Sequence, residues 1–332
     1  MKRLSLFIAV LLVLGAFTVS AQDWKPAKPI QIVVPWGAGG STDQIIRLVA
    51  GELEGELGQK IVVVNQPGAS GSVGTNTVMQ AAADGYTWAS GAAGDLGCYK
   101  VLGFLDTQLS DWTLYLAAAN ISVISVNNYT PYQTMDQLLA AWKAGKKLTI
   151  ATAGQASAGH IAMETLKKYV KFDYTHLTYN SGKEAAISCV AGETDLVPQL
   201  ATEQVDLIKG GKLKPLAVLG DTPLTLAGVA TPIPPVTKWL PQVKAGSNWF
   251  GFWLPNTVPQ NIRDSIGRAF DKTIKSSKLM QDYCAANGAI FGPSWGAEAQ
   301  KRAMAYVSQV AWTYWDAGKA KVSPATLGIP KP

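Results

Sequence analysis

The sequence predicts an α/β protein built as two compact units, and three observations carry that reading. The chain has 332 residues, more than one comfortable hydrophobic core accommodates. Apolar runs of strand length alternate with stretches of helical periodicity. After a first series of such units, a second begins near residue 121.

Ile30 to Val34 is a continuous, β-branched apolar run, the pattern of a strand buried on both faces. Pro35-Trp36-Gly37-Ala38-Gly39-Gly40 ends it. A helix follows, with Ile45, Ile46, Leu48, Val49, Leu53 and Leu57 on one face and Gly58 as its stop. Ser41 with Gln44 reads as its capping box. Ile61 to Val64 is a second strand, Asn65 to Ser72 a loop, and Val73 to Ala83 a helix. Asp84-Gly85 turns the chain into a third strand, Tyr86 to Ser90. Strands and helices alternating at this spacing predict a parallel sheet.

The second series opens with a strand at Ile121 to Val126. Thr134 and Gln137 cap a helix carrying Leu138, Leu139 and Trp142, which Gly145 breaks. Lys147 to Ala151 is a strand, Thr152 to His160 a loop of small residues, and Ile161 to Tyr169 a helix. Further strands are expected at His176 to Tyr179, Leu196 to Leu200 and Leu213 to Leu219. The proline-rich stretch from Asp221 to Pro241 reads as connection. Two helices close the chain. One lies near Asn261 to Ser276 with Ile262, Ile266, Phe270 and Ile274 on its stripe. The other lies near Gly296 to Ala317 with Ala303, Val307, Val310 and Tyr314 facing inward.

Composition excludes several classes. Glycine and proline, 32 and 18 residues, are not periodic, so collagen-like and disordered readings fall away. Two histidines and three cysteines cannot build a disulfide scaffold or Cys/His metal clusters, so no metal and no cofactor are expected. Cys98, Cys189 and Cys284 allow at most one disulfide, and buried free thiols are the expectation. Residues 1–21 read as a signal peptide: a basic start, an uncharged run from Leu4 to Val19, and Val19-Ser20-Ala21 placing cleavage before Gln22. Removing Lys2 and Arg3 leaves a net charge of 6 − 2 = +4. The remaining basic residues are scattered, which disfavours nucleic acid as a partner.

Two loops carry the functional reading, Pro35 to Asp43 and Thr152 to His160. Each follows a strand, lacks bulky side chains for most of its length and feeds a helix N-terminus. The first helical turn leaves backbone N–H groups without partners, and the macrodipole adds partial positive charge. Such a loop binds an anion without lysine or arginine. Three or four charge-assisted hydrogen bonds of about 1.5–3 kcal/mol each offset binding entropy and reach micromolar affinity, about −8 kcal/mol. The first loop lacks the GK[ST] ending of a phosphate loop and the GxGxxG pattern, so a carboxylate fits better than a phosphate. The alternative is a secreted serine hydrolase using Ser157 or Ser70 with His160, although neither serine sits in a GxSxG elbow.

Lys28-Pro29-Ile30 through Val34-Pro35-Trp36-Gly37-Ala38-Gly39-Gly40-Ser41-Thr42-Asp43, with Leu57-Gly58-Gln59, Asn65 to Gly71 and Asp84-Gly85-Tyr86-Thr87, resembles one family. It is the substrate-binding proteins of tripartite tricarboxylate transporters, also called Bug receptors. The resemblance continues through Gly154, Gly159-His160, Tyr179, Gly192 with Asp195, and Gly210 to Val218. It implies a two-lobed periplasmic binding protein-like fold of type II, with a ligand cleft between two α/β domains joined by two crossovers. The domains are expected at 22–120 plus 226–332 and at 121–225. The implied function is a non-enzymatic, monomeric periplasmic receptor that closes over a small carboxylate and delivers it to membrane permease subunits. Carried over residue by residue, the ligand loops are Ala38, Gly39, Ser41, Thr42 and Asp43 with Gly154, Ser157 and His160. Gly68, Ala69 and Ser70 are expected to line the same cleft, as is Tyr179. Trp36 stands where the family usually has phenylalanine and suits a pocket wall. The segment Gly91 to Gly97 departs from its usual counterpart, and Asp95 and Glu184 read first as solvated surface charge, with binding of an amino acid's ammonium as the alternative.

Overall fold

The computed structural model describes residues 24–244 and 246–332; the expected signal peptide lies outside the described residues. In chain order the first strands and helices are β1 (Ile30–Val34), α1 (Ser41–Leu57), β2 (Ile61–Asn65), α2 (Ser72–Met79), β3 (Thr87–Ala92), α3 (Ala93–Leu102) and β4 (Trp112–Asn120). Next come β5 (Val123–Asn127), α4 (Met135–Lys143), β6 (Leu148–Thr152), α5 (Ala158–Lys167), β7 (Tyr174–Thr178), α6 (Gly182–Val190), β8 (Leu196–Val197), α7 (Ala201–Lys209) and β9 (Leu213–Val218). The chain ends with β10 (Asn248–Pro255), α8 (Gln260–Thr273), α9 (Lys278–Asn287), β11 (Ile290–Trp295) and α10 (Gly296–Asp316).

These strands form two sheets, ordered β11-β4-β10-β3-β1-β2 and β7-β6-β8-β5-β9. The chain leaves the first sheet after β4, builds the second from β5 to β9, and returns with β10. Each sheet carries buried apolar layers on its faces, so each lobe has its own core. The fold is the two-lobed α/β arrangement expected from the sequence.

Both sheets are mixed, where a parallel sheet was expected. β1 runs parallel to β2 and β3, with Ile30 opposite Ile61, but β10 pairs antiparallel with β3 and β4, and β11 antiparallel with β4. These three strands escaped the sequence reading. β4 is buried along its whole length and so shows no alternation. β10 is an aromatic run, and its rings pack deep: Phe252 stacks between Trp88 and Tyr115, at 4.6 and 4.7 Å.

The helix at α1 corrects the expected capping box. Gly40, in extended conformation, is the N-cap, and Ser41 is the first helical residue. The Ser41 hydroxyl bonds Thr202 on α7, and the Gln44 amide donates to the Gly39 carbonyl at 2.7 Å. A partner in the other lobe has outcompeted the local cap.

All three cysteines are buried and unpaired. Burial pushes each thiol up, Cys189 to about 12 and Cys284 to about 11, and Cys98 further. A thiol reagent at pH 8 is therefore expected to label none of them in the native protein and all three in denaturant.

Candidate ligand-binding cleft

The loop from β1 to α1 is held rigid by its own acid. Asp43 accepts from the Gly39 amide at 2.9 Å, from Arg47 Nε at 3.0 Å and from Asn65 Nδ2 at 2.9 Å. Burial alone would raise its carboxyl, but Arg47, the Gly39 amide and Asn65 outweigh that and hold it below the usual range. Gly39 takes φ +78°, a left-handed conformation natural to glycine. The Ser41 amide donates to Glu203 Oε1 at 3.2 Å, across the gap between lobes. Among the described residues the amides of Thr42 and Asp43 meet no acceptor.

The loop from β6 to α5 is built on Ser157. As N-cap it receives the His160 amide, while its hydroxyl donates to the Gly154 carbonyl at 2.7 Å. Among the described residues the amides of Ala158 and Gly159 meet no acceptor. Gly159 lies flat against Gln199, where a Cβ would come within 2.9 Å of the side-chain amide carbon.

Between these two helix ends lies a cavity of about 30 Å³. It is walled by Trp36, Ala92, Ala153, Leu200 and Phe250, and its polar lining is Ser41, Thr42, Asp95, Ser157, Gln199 and Glu203. Among the described residues no lysine or arginine lines it. Trp36 and Ala153 also border an outer groove of about 370 Å³ lined by Gly68, Ala69, Ser70, Gly154 and Tyr179. Trp36 thus separates the inner cavity from the mouth. At that mouth Ala69 and Ser70 adopt φ +44° and +56°, a conformation that costs an L-residue about 1–2 kcal/mol.

The lobes are latched where the loops meet. Gly37 N–H donates to the Asn180 carbonyl at 2.9 Å, Gln155 N–H to Ser70 Oγ at 3.0 Å, and Asn120 Nδ2 to Thr202 Oγ1 at 3.1 Å.

A sequence profile described as the tripartite tricarboxylate transporter family receptor matches residues 45–303. The chain belongs to this receptor family. BugT of Bordetella pertussis is 27% identical over 294 residues, covering 84% of this chain and 88% of BugT. The periplasmic binding protein BugD superposes with a TM-score of 0.81 at 22% identity, covering 89% of this chain and 99% of BugD. A Rhodopseudomonas palustris protein solved with adipate gives 0.80 at 22%, with the same coverage. These likenesses establish the periplasmic binding protein fold.

In this receptor the expected site residues divide by place. Trp36, Ser41, Thr42 and Ser157 line the inner cavity. Gly68, Ala69, Ser70, Gly154 and Tyr179 line the outer groove. Ala38 is exposed at the loop tip, and Gly39 and Asp43 brace the loop from behind. Glu184 is exposed and caps its own helix, accepting from the Asn180 amide at 3.1 Å.

His160 turns away from the cavity. Its Nδ1 bonds the Gln155 carbonyl, its Nε2 meets Lys319 Nζ at 3.1 Å, and its ring stacks on His176 at 4.8 Å. Burial, Lys319 and His176 together push its pKa down to about 4. A neutral ring that donates from Nδ1 and accepts the lysine ammonium at Nε2 satisfies both contacts. Lys319 also reaches Glu164 at 2.8 Å, joining α5 to the residues after α10.

Gln199 and Glu203 escaped the sequence reading. Both follow β8, at a strand exit that has no glycine to mark it. The signal was topological: α/β sheets place ligands at the carboxyl ends of their strands. Burial pushes the Glu203 carboxyl up to about 7, against the pull of the Ser41 and Leu200 amides and Lys183. Burial and the nearby Glu203 charge push Asp95 well above the carboxylate range. The Asn248 and Trp36 side chains lie against this carboxyl and pull it the other way without reversing the shift.

Proposed function

We propose that this protein is a periplasmic receptor that captures a small organic acid by closing its two lobes and passes it to the permease subunits of a tripartite transporter. One observation carries the reading: the N-termini of α1 and α5, each with amides free of acceptors, converge on one buried cavity from opposite lobes. A carboxylate there receives several N–H donors and the positive ends of two helices. The adipate bound by the R. palustris relative supports an acid as the ligand class. The domains we assign are 22–120 plus 226–332 and 121–225. The chain's passage between sheets after Asn120 supports the first boundary, while Leu226, Ile233, Val236, Leu240 and Val243 pack with the second lobe and favour a later return, before Asn248. Export with cleavage before Gln22, and action as a monomer, complete the proposal.

Hydrolysis is disfavoured by the hydrogen bonds of His160. Both ring nitrogens are engaged, with Gln155 and Lys319, so neither serves the hydroxyl of Ser157 or of Ser70.

The test is a thermal-shift and tryptophan-fluorescence screen of small organic and amino acids. A ligand of the closed form raises the melting temperature by mass action; no response to any member would overturn the proposal. Ser41→Ala and Ser157→Ala are each expected to weaken binding by about 1–2 kcal/mol. The first loses the bond to Thr202, the second a helix cap and a cavity hydroxyl. Unchanged affinity in both, by titration calorimetry, would reduce the loops to turns.

A further inference from the structure

We infer that the guest of this cleft carries a cationic nitrogen as well as a carboxylate, as an amino acid does, and that Asp95 and Glu203 receive that nitrogen. The inference rests on the receptor reading above and narrows its ligand class.

Asp95 enters the cavity on α3 from one lobe and Glu203 on α7 from the other, with 4% and 5% of their surfaces exposed. Two buried carboxyls facing one cavity, with no lysine or arginine lining it among the described residues, are costly as carboxylates unless something positive joins them. Among the described residues Asp95 Oδ1 is buried and accepts no hydrogen bond, although Asn248 and Trp36 act on the carboxyl. The Glu203 oxygens accept long bonds from the Ser41 amide at 3.2 Å and the Leu200 amide at 3.3 Å, with the Ser41 side chain also against the carboxyl. The fit around Glu203 is tight: a methyl at Gly182 would overlap its carboxylate.

The opposite need is present in the same cavity. Gln199, only 1% exposed, has a buried Nε2 that finds no acceptor among the described residues, and the amides of Ala158 and Gly159 stand beside it. The cavity therefore asks for a donor of positive charge on the Asp95–Glu203 side and for an acceptor on the Gln199–α5 side. A plain dicarboxylate would set a second anion against the acid pair. A simple amine would leave the Gln199 and α5 donors unsatisfied, at the desolvation cost of buried polar groups. A zwitterion meets both.

The experiment is calorimetric titration of the mature protein with the twenty common amino acids and their des-amino counterparts, compared pairwise: alanine with propionate, aspartate with succinate, glutamate with glutarate. The expected result is at least one pair in which the amino member binds tenfold or more tightly than its counterpart. For that pair, Asp95→Asn with Glu203→Gln should shrink the preference below threefold. Should either substitution unfold the protein, the wild-type comparison still decides. If a des-amino acid binds and its amino counterpart binds no better, this inference is overturned while the receptor reading stands. If no compound of either series binds, this inference falls, and the wider organic-acid screen decides the receptor reading.

Discussion

Replacing Gly154 by alanine is expected to weaken ligand binding by about a hundredfold while leaving the lobes folded. Gly154 sits at φ +125°, where an L-side chain is strained, and its Cβ would lie 2.5 Å from Ser70 Oγ and 3.3 Å from Ser70 Cβ. Ser70 belongs to the loop after β2, in the opposing lobe. It has little freedom to retreat, because it is itself left-handed at φ +56° and holds the Gln155 amide. The overlap is therefore relieved by opening the cleft. A closure penalty of about 3 kcal/mol corresponds to that loss of affinity. Calorimetry should show it, and small-angle scattering should show a larger radius for the variant than for the wild type with ligand. Wild-type affinity would mean that the two loops do not meet in the closed form.

Stability against pH is expected to reveal two opposing slopes. His160, at about 4 when folded against 6.5 in its ordinary state, binds fewer protons folded than unfolded between those values. Its contribution to stability therefore rises with pH across that window, by about 3 kcal/mol. His176, also pushed down to about 4 by burial and Lys319, acts in the same direction. Glu203 has the opposite sign. At about 7 folded against 4.5, it binds more protons folded, so its contribution falls as pH rises from 4.5 to 7, again by about 3 kcal/mol. Asp95, raised as well, adds to that fall. In the wild type the slopes largely cancel. Urea unfolding of Asp95→Asn with Glu203→Gln should show stability climbing from pH 4 to 6.5, and His160→Gln should show it declining from 4.5 to 7. Parallel profiles in the two variants would contradict the assignment.

What the sequence disclosed depended on how locally each feature is determined. The β1–loop–α1 unit was legible because its buried strand, its glycines and its amphipathic helix each leave a mark within a few residues. α5, α8 and α10 were placed within a few residues for the same reason. β4 and β10 were not, since a strand buried on every side has neither alternation nor a helical period. In the cleft, the glycine loops announced themselves, but the residues that set its electrostatics did not. Glu203 occupies the first turn of α7 and reads locally as an ordinary helix-starting acid. Only the meeting of the lobes buries it against the Ser41 amide. His160 erred the other way. Its position at a helix start pointed to a ligand, while Tyr314 and Lys319, more than 150 residues away, claim its ring.

The central claim is that helix ends from two lobes, without cationic side chains, hold the guest. A crystal structure of the mature protein with its highest-affinity acid tests this most directly. The account predicts the guest's carboxylate between the Thr42 and Asp43 amides of α1 and the Ala158 and Gly159 amides of α5, beneath Trp36. It would be contradicted by a guest lodged in the surface groove lined by Lys143, Lys167, Lys168 and Lys171 beside Trp142 and Trp239, or gripped by any lysine or arginine side chain.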